Sequence, residues 1–373
     1  MFNVSDMISR LIDKKAGGIL IKKPSNIFYM TGFSGEGHVY FTREGQIILY
    51  ADGRYSERAS KECFAHVKIV RIKEIYKDIA ADIFKRNIDG GVADSKSGRA
   101  PADTIMFESD YITCDEYASL KEKFKSKIKL IPARDAVLKI RSIKDEGELN
   151  YILEAVSIAE KSMLDALKTL KKTVCAENDL AIIYKKNLLE RRSMESFETI
   201  ILSGRNSSLP HGLPSDKRID KKNVLLCDFG AERNGYKSDE TLTVHLGNPD
   251  GRFLDVYDTV YSAQQKAISK IKPGVKFSCL DKIARDYIDK RGYGKYFTHS
   301  LGHGVGLDIH EYPYIGKKNG DTVKEGMVFT VEPGVYIEGE FGVRIEDMCY
   351  VEKEGARVIT NIKKNQCKIE DLA

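Results

Sequence analysis

Through the first third of the chain, apolar positions come in short bursts that alternate with polar ones. A period of two marks strands and a period near 3.6 marks helices. Residues 17–24 (GGILIKKP) thus predict a strand, 40–52 (YFTREGQIILYAD) a hairpin, and 67–72 (VKIVRI) a further strand. Residues 55–64 (YSERASKECF) and 72–86 (IKEIYKDIAADIFKR) predict helices. Strands alternating with helices imply a mixed α/β domain. Ile131-Pro132-Ala133-Arg134 breaks this pattern, which puts an N-terminal domain at 1–135 and a second domain at 136–373.

The second domain reads differently. Residues 137–144 (VLKIRSIK) lead into a long helix, with Ser142 as its expected N-cap and Asp145, Glu146 and Glu148 in its first turns. Leu149, Ile152, Leu153, Val156, Ala159 and Met163 follow at helical spacing, so Met163 is a core residue. Residues 178–192, 254–271 and 280–291 predict further helices, the last stopped by Gly292. Two segments, 224–246 and 327–351, each read as strand, glycine-containing turn, strand. Their similarity predicts a duplicated half-domain with a site between the halves.

Each segment carries two carboxylates: Asp228 and Asp239 in the first, Glu332 and Glu346 in the second. Alternation puts Asp228 on the face of Val224 and Leu226, and Asp239 on the face of Thr241 and Thr243. Paired strands bring such residues within about 5 Å, and carboxylates that close repel unless a cation lies between them. Glu332 and Glu346 sit in apolar runs where an unpaired glutamate is costly. Arg344, two residues before Glu346, shares its face and can neutralise or hold a carboxylate. Gly302-His303-Gly304-Val305-Gly306 follows between the segments, then His310-Glu311. Glycines around His303 are expected to let the backbone approach whatever the imidazole binds. Four carboxylates and one imidazole suit a pair of divalent metals, which can activate water for hydrolysis. His38, His66 and His245 read as structural, and His211 and His299 are ambiguous from the residues alone.

Composition narrows the partners. The 373 residues suit two domains, and a formal net charge of +5 is too balanced to argue for nucleic acid. The basic run 121–129 reads as the solvated face of a helix entering a strand. The N-terminus lacks the pattern of a signal peptide, and no apolar run has membrane-spanning length. Seven cysteines without a CxxC pair read as reduced thiols of a cytoplasmic protein. Cys227, beside Asp228, is expected to face the core.

Together the motifs resemble the creatinase, prolidase and methionine aminopeptidase superfamily, the pita-bread metallopeptidases of family M24. Residues 26–33 (NIFYMTGF) and 52–55 (DGRY) are similar to its non-catalytic domain. Asp228-Phe229-Gly230, Gly235 to Thr241 (GYKSDET), Gly302 to Pro313 (GHGVGLDIHEYP), Thr330 to Tyr336 (TVEPGVY) and Gly342 to Asp347 (GVRIED) match its catalytic segments in order. The resemblance implies an α+β architecture, with a pita-bread catalytic domain after an α/β creatinase-type domain. It implies two divalent ions, Mn2+ first, with Co2+, Fe2+ or Zn2+ as alternatives. Asp228, Asp239, His303, Glu332 and Glu346 would be the ligands, with Asp239 and Glu346 bridging. His211, His310, Glu332 and Arg344 would be catalytic, and His299 and Tyr336 would contact substrate. The implied activity is hydrolysis of the bond before a proline, as an Xaa-Pro aminopeptidase of the aminopeptidase P type, or alternatively as an Xaa-Pro dipeptidase. Creatinase-type amidinohydrolase or a non-enzymatic binding protein are further alternatives. The expected partners are proline-containing peptides and a second copy in a homodimer. Relatives usually read SDxTRT where this chain has Leu242 after Thr241. Alternation turns Leu242 away from the metals, so altered packing or an altered inter-domain contact is expected, with the site intact.

Overall fold

The computed structural model describes residues 4–86, 103–125, 127–170 and 175–372. The chain divides into two compact units, residues 1–141 and 142–373.

The first unit holds strands β1 (Gly18–Ile21), β2 (His38–Thr42), β3 (Ile47–Asp52), β4 (Val67–Ile72), β5 (Thr104–Phe107) and β6 (Lys129–Pro132). They form one mixed sheet in the order β4-β3-β2-β1-β5-β6. β1, β2 and β3 pair antiparallel, while β4, β5 and β6 join in parallel. Helices α1 (Val4–Asp13), α2 (Pro24–Thr31), α3 (Ser56–Glu62), α4 (Ile75–Phe84), α5 (Cys114–Phe124) and α6 (Leu138–Arg141) complete it. The hairpin expected over 40–52 is β2–β3. α5 begins with a reciprocal cap between Thr113 and Glu116. Along the basic run the described lysines are exposed while Phe124 and Ile128 are buried, as a solvated face requires. Ser126 in that run lies outside the described residues.

The second unit opens with α7 (Glu146–Leu170) and α8 (Glu177–Glu190). The expected cap at Ser142 is not made. Ile143 bridges Met327, and the Lys144 N–H donates to the Gly326 carbonyl, so this stretch is drawn out along the sheet. Asp145 caps the helix instead: its Oδ1 accepts the Glu148 N–H (2.9 Å), and Glu148 Oε2 accepts the Asp145 N–H (3.0 Å). Ile152, Val156, Ala159 and Met163 are buried, with Leu149 and Leu153 half-buried at the margin of the stripe.

Next come β7 (Met194–Glu195), β8 (Ile200–Ser203), β9 (Val224–Phe229), β10 (Ala231–Arg233), β11 (Tyr236–Lys237) and β12 (Glu240–His245). They build two three-stranded sheets, β12-β9-β8 and β11-β10-β7. Helices α9 (Gly251–Ile268) and α10 (Phe277–Lys290) then lead into β13 (Gly302–Gly304), β14 (Glu311–Ile315), β15 (Val328–Val331), β16 (Gly334–Ile337), β17 (Phe341–Arg344), β18 (Asp347–Glu352) and β19 (Gly355–Val358). Five of these form the sheet β14-β13-β15-β18-β19, while β16 and β17 pair separately. The segment 327–351 is therefore not one hairpin. Proline has no N–H to donate to a ladder, and the chain leaves the sheet at Glu332-Pro333. It makes the β16–β17 hairpin, then returns as β18.

Each half packs its own helix pair. Side chains of α7 and α8 meet Leu225, Cys227, Leu242 and Val244 in one core. Side chains of α9 and α10 meet Phe329, Val331 and Cys349 in another. Cys227 and Leu242 are both core residues, as alternation predicts.

Candidate metal centre and active site

The halves meet where the carboxylates lie. Asp228 on β9 stands opposite Thr241 on β12, and Asp239 directly precedes β12. Val331 and Asp347 form the last pair of β15 and β18, so Glu332 and Glu346 sit one residue beyond the ladder on each strand. The Glu346 N–H donates to the Thr241 carbonyl across the seam (3.1 Å). Beside it the Arg344 N–H donates to Thr243 Oγ1 (3.1 Å), whose hydroxyl donates back to the Arg344 carbonyl (2.8 Å).

His303 reaches this point from β13. A Cβ on Gly302 would lie 2.1 Å from the Thr330 carbonyl oxygen, and one on Gly304 2.4 Å from that of Tyr312. These glycines accommodate neighbouring strands, and not, as their place around His303 led one to expect, the ligand of the imidazole. His303 Nδ1 lies 3.1 Å from the Gly304 carbonyl and must carry the proton to bond it. Burial, then the neighbouring His310, lowers its pKa to about 3. The ring is thus neutral, and Nε2 presents a lone pair. That lone pair faces Asp239 Oδ2 at 3.5 Å and Glu332 Oε1 at 3.3 Å.

Acceptor facing acceptor is unfavourable unless a metal ion, or in its absence a proton on the carboxyl, sits between. Ligand atoms of Asp239, His303 and Glu346 lie within 4.8 Å of one another. Burial first, then mutual repulsion, pushes the Asp239 and Glu346 carboxyls well above their ordinary range. Burial raises Glu332 to about 8 against the pull of Arg344. Asp228 Oδ1 is buried without a partner among the described residues. An orphaned buried acceptor, a naked lone pair and crowded carboxylates together fit divalent cations with hard ligands.

A second layer holds these groups. Arg344, 3 % exposed, donates from Nη2 to Asp228 Oδ2, from Nε to Thr241 Oγ1 (3.0 Å), and from Nη1 to the Pro210 carbonyl (3.1 Å) and Tyr336 Oη (2.8 Å). Thr241 donates its hydroxyl to Glu346 Oε2 (2.6 Å). Thr330 donates to Glu332 Oε1 (3.1 Å) and accepts the His303 N–H (3.1 Å). His299 Nδ1 lies 2.8 Å from the Ser300 carbonyl, so its Nε2 accepts from Tyr336 Oη (3.0 Å). Burial, with Arg344 nearby, lowers His299 to about 4 and keeps it neutral.

All five expected ligands, with His211, His299, His310 and Arg344, line one cavity of about 460 Å³. Tyr336 is reached through His299 and Arg344. The His310 ring lies 4.2 Å from that of His303, and burial lowers its pKa. Phe197, Glu198, Ile309 and Tyr314 also line the cavity and were not expected. Phe197 and Glu198 lie in a short loop and Tyr314 at an exposed strand position outside the quoted motifs. Ile309 lies within the segment 302–313 between its polar residues, where nothing local marks an apolar side chain as lining a cavity. His38, His66 and His245 do not line it.

A fold and cavity of this kind define a two-domain metallohydrolase. The family model of metallopeptidase family M24 matches residues 150–353, and that of the creatinase/prolidase N-terminal domain matches 5–143. The chain is 36 % identical over 356 residues to the Xaa-Pro dipeptidase of Pyrococcus furiosus, covering 93 % of this chain and 94 % of that protein. Among solved structures, the Xaa-Pro dipeptidase from Bacillus anthracis has a TM-score of 0.87 at 32 % identity, covering 98 % of this chain and all of that one. The X-Pro aminopeptidase from Thermotoga maritima has a TM-score of 0.82 at 31 % identity, covering 96 % of this chain and 99 % of that one. The chain belongs to metallopeptidase family M24, with the creatinase-type N-terminal domain and pita-bread catalytic domain that its motifs led one to expect. It is a metal-dependent peptidase. Among the described residues no helix is long and apolar enough to cross a membrane.

Proposed function

We propose that this chain is an Xaa-Pro dipeptidase, releasing proline from dipeptides. Of the two activities expected from the motifs, the dipeptidase alternative is better supported than aminopeptidase P, because two curated relatives that cover nearly the whole chain, from Pyrococcus furiosus and Pyrococcus horikoshii, are Xaa-Pro dipeptidases. The observation that carries the chemistry is the unprotonated Nε2 of His303 facing two carboxylates inside a cavity of small-molecule size.

Asp228, Asp239, His303, Glu332 and Glu346 would hold two divalent ions, Mn2+ before Co2+, Fe2+ or Zn2+. When bound, such ions polarise a carbonyl and bring the pKa of water from about 16 toward neutrality. The rest falls to the protein. Neutral His310 donates an N–H to the scissile carbonyl oxygen, and His211 steadies it from the loop behind Pro210. Glu332, its Oε1 fixed by Thr330, passes a proton through its other oxygen to the departing proline nitrogen. The proton comes from the attacking water, and the departing nitrogen needs it to leave as a neutral amine when the C–N bond breaks. Arg344 keeps Asp228 oriented, and His299 with Tyr336 shapes the wall that substrate meets.

The test compares Gly-Pro and Met-Pro with tripeptides such as Met-Pro-Gly, using protein reconstituted with Mn2+. The proposal expects kcat/KM at least tenfold higher on the dipeptides. Equal or faster cleavage of the tripeptides would return the assignment to aminopeptidase P. Free thiols at all seven cysteines support the cytoplasmic reading. The homodimer rests on the family resemblance, and a single-chain mass by light scattering refutes it.

A further inference from the structure

The seam that gathers the metal ligands is weakly closed by backbone. β12 and β18 belong to different sheets, and the Glu346 N–H to Thr241 carbonyl bond crosses between them. Asp239 and Glu346 crowd the front of this seam. Unneutralised carboxylates there drive the two strands apart.

On the reverse side each of these ligands has a carboxylate neighbour. Alternation turns Glu240 and Asp347 away from Asp239 and Glu346. Both turned-back groups converge on one ammonium. Lys364 Nζ lies 2.5 Å from Glu240 Oε1 and 2.6 Å from Asp347 Oδ1, with all three side chains buried. Glu240 Oε2 has no partner among the described residues. The Thr360 hydroxyl donates to Asp347 Oδ1 (2.6 Å), and the Tyr257 hydroxyl holds the Lys364 carbonyl (2.9 Å). A second grip comes from α9. The Gln264 side-chain amide lies within hydrogen-bond reach of the carbonyls of Val331 (3.2 Å) and Ile345 (3.3 Å) and of Asp347 Oδ2 (2.9 Å). Val331 and Ile345 immediately precede Glu332 and Glu346. Residues adjoining three of the four carboxylate ligands are thus held from behind by Lys364 and Gln264.

We propose that Lys364 is a positioning residue of the metal centre, clamping the strand starts that carry Asp239 and Glu346 from the face opposite the ions. The inference rests on the metallopeptidase reading above. Lys364 touches neither substrate nor ion. Its effect passes through strand spacing, so its loss reads out first as metal affinity.

The experiment titrates metal-stripped protein with Mn2+, following free ion by EPR, for wild type, K364M, K364R and the charge-neutral triple variant E240Q/D347N/K364M. The triple variant leaves no buried charge unpaired and keeps the measurement possible where K364M fails to fold. K364M and the triple variant are expected to lose at least tenfold in Mn2+ affinity, whereas K364R, which spans both carboxylates, stays within about threefold of wild type. At saturating Mn2+, kcat of the folded variants recovers. A purely structural role lowers the melting temperature of the metal-free protein and leaves Mn2+ affinity at the wild-type value, and that result overturns the proposal. Wild type that binds no Mn2+ removes the metal site itself and the clamp with it. Wild type that binds two ions, alongside variants that bind equally well, removes only the clamp.

Discussion

Replacing Thr241 by valine keeps the shape of the side chain and its β-branched fit to the strand. It deletes one hydroxyl, which donates to Glu346 Oε2 at 2.6 Å and accepts from Arg344 Nε at 3.0 Å. Both partners are buried, so water does not substitute. A hydrogen bond to a charged group contributes roughly 1.5–3 kcal/mol. Glu346 loses its orienting donor, and Arg344 keeps its other partners at Asp228, Pro210 and Tyr336. Assigning the loss to the set of Glu346 gives roughly a 10- to 150-fold fall in metal affinity. That range overlaps the effect of removing groups that orient metal ligands elsewhere. The assay is isothermal titration of the metal-free variant with Mn2+, with near-ultraviolet circular dichroism to check packing. A folded T241V protein with wild-type Mn2+ affinity refutes the claim that this hydroxyl orients a metal ligand.

Other consequences follow from burial. Lys144 Nζ and Glu311 Oε1 pair at 2.9 Å with both side chains 1 % exposed, and breaking such a pair from one side costs about 3–5 kcal/mol. K144M should therefore unfold at much lower urea, and K144M/E311Q should recover most of the loss; equal midpoints for K144M and wild type refute this. Glu332 is raised to about 8, and Asp239 and Glu346 are raised well above the ordinary carboxylate range, by burial first and then by repulsion from neighbouring carboxylates. The metal-free protein thus holds protons that cations must displace, so Mn2+ affinity rises from pH 6 to 8. Titrations at pH 7 in buffers of different ionisation enthalpy should show net proton release, and identical heats in all buffers would contradict it.

The first hairpin was legible because its period of two runs on both sides of the Asn234-Gly235 turn and sets the faces of Asp228 and Asp239. The register that puts Asp228 opposite Thr241 follows from the turn and is seen in the structure. The second was legible only in part. Pro333 signalled that a strand ended, but no local pattern says that the chain returns to the same sheet at Asp347. Ser142 looked like a cap because serine before acidic residues usually is one. The bridge from Ile143 to Met327 that displaces the cap joins positions far apart in sequence. The glycines around His303 were legible as close approaches, yet what approaches them is backbone of β14 and β15, which only the fold reveals. Leu242 was placed correctly by alternation alone: it is buried in the core that α7 and α8 share with β9 and β12. Lys364 and Gln264 carry no motif; their importance lies in contacts across 124 and 83 residues.

The central claim is that Asp228, Asp239, His303, Glu332 and Glu346 form one metal-dependent proline dipeptidase site. It is tested most directly by titrating Mn2+ into metal-stripped wild type and D239N while following Gly-Pro hydrolysis and bound metal together. Wild-type activity is expected to rise from baseline as two ions bind per chain, and D239N to lose metal and activity together. Hydrolysis at full rate without metal, or by metal-free D239N, would contradict it.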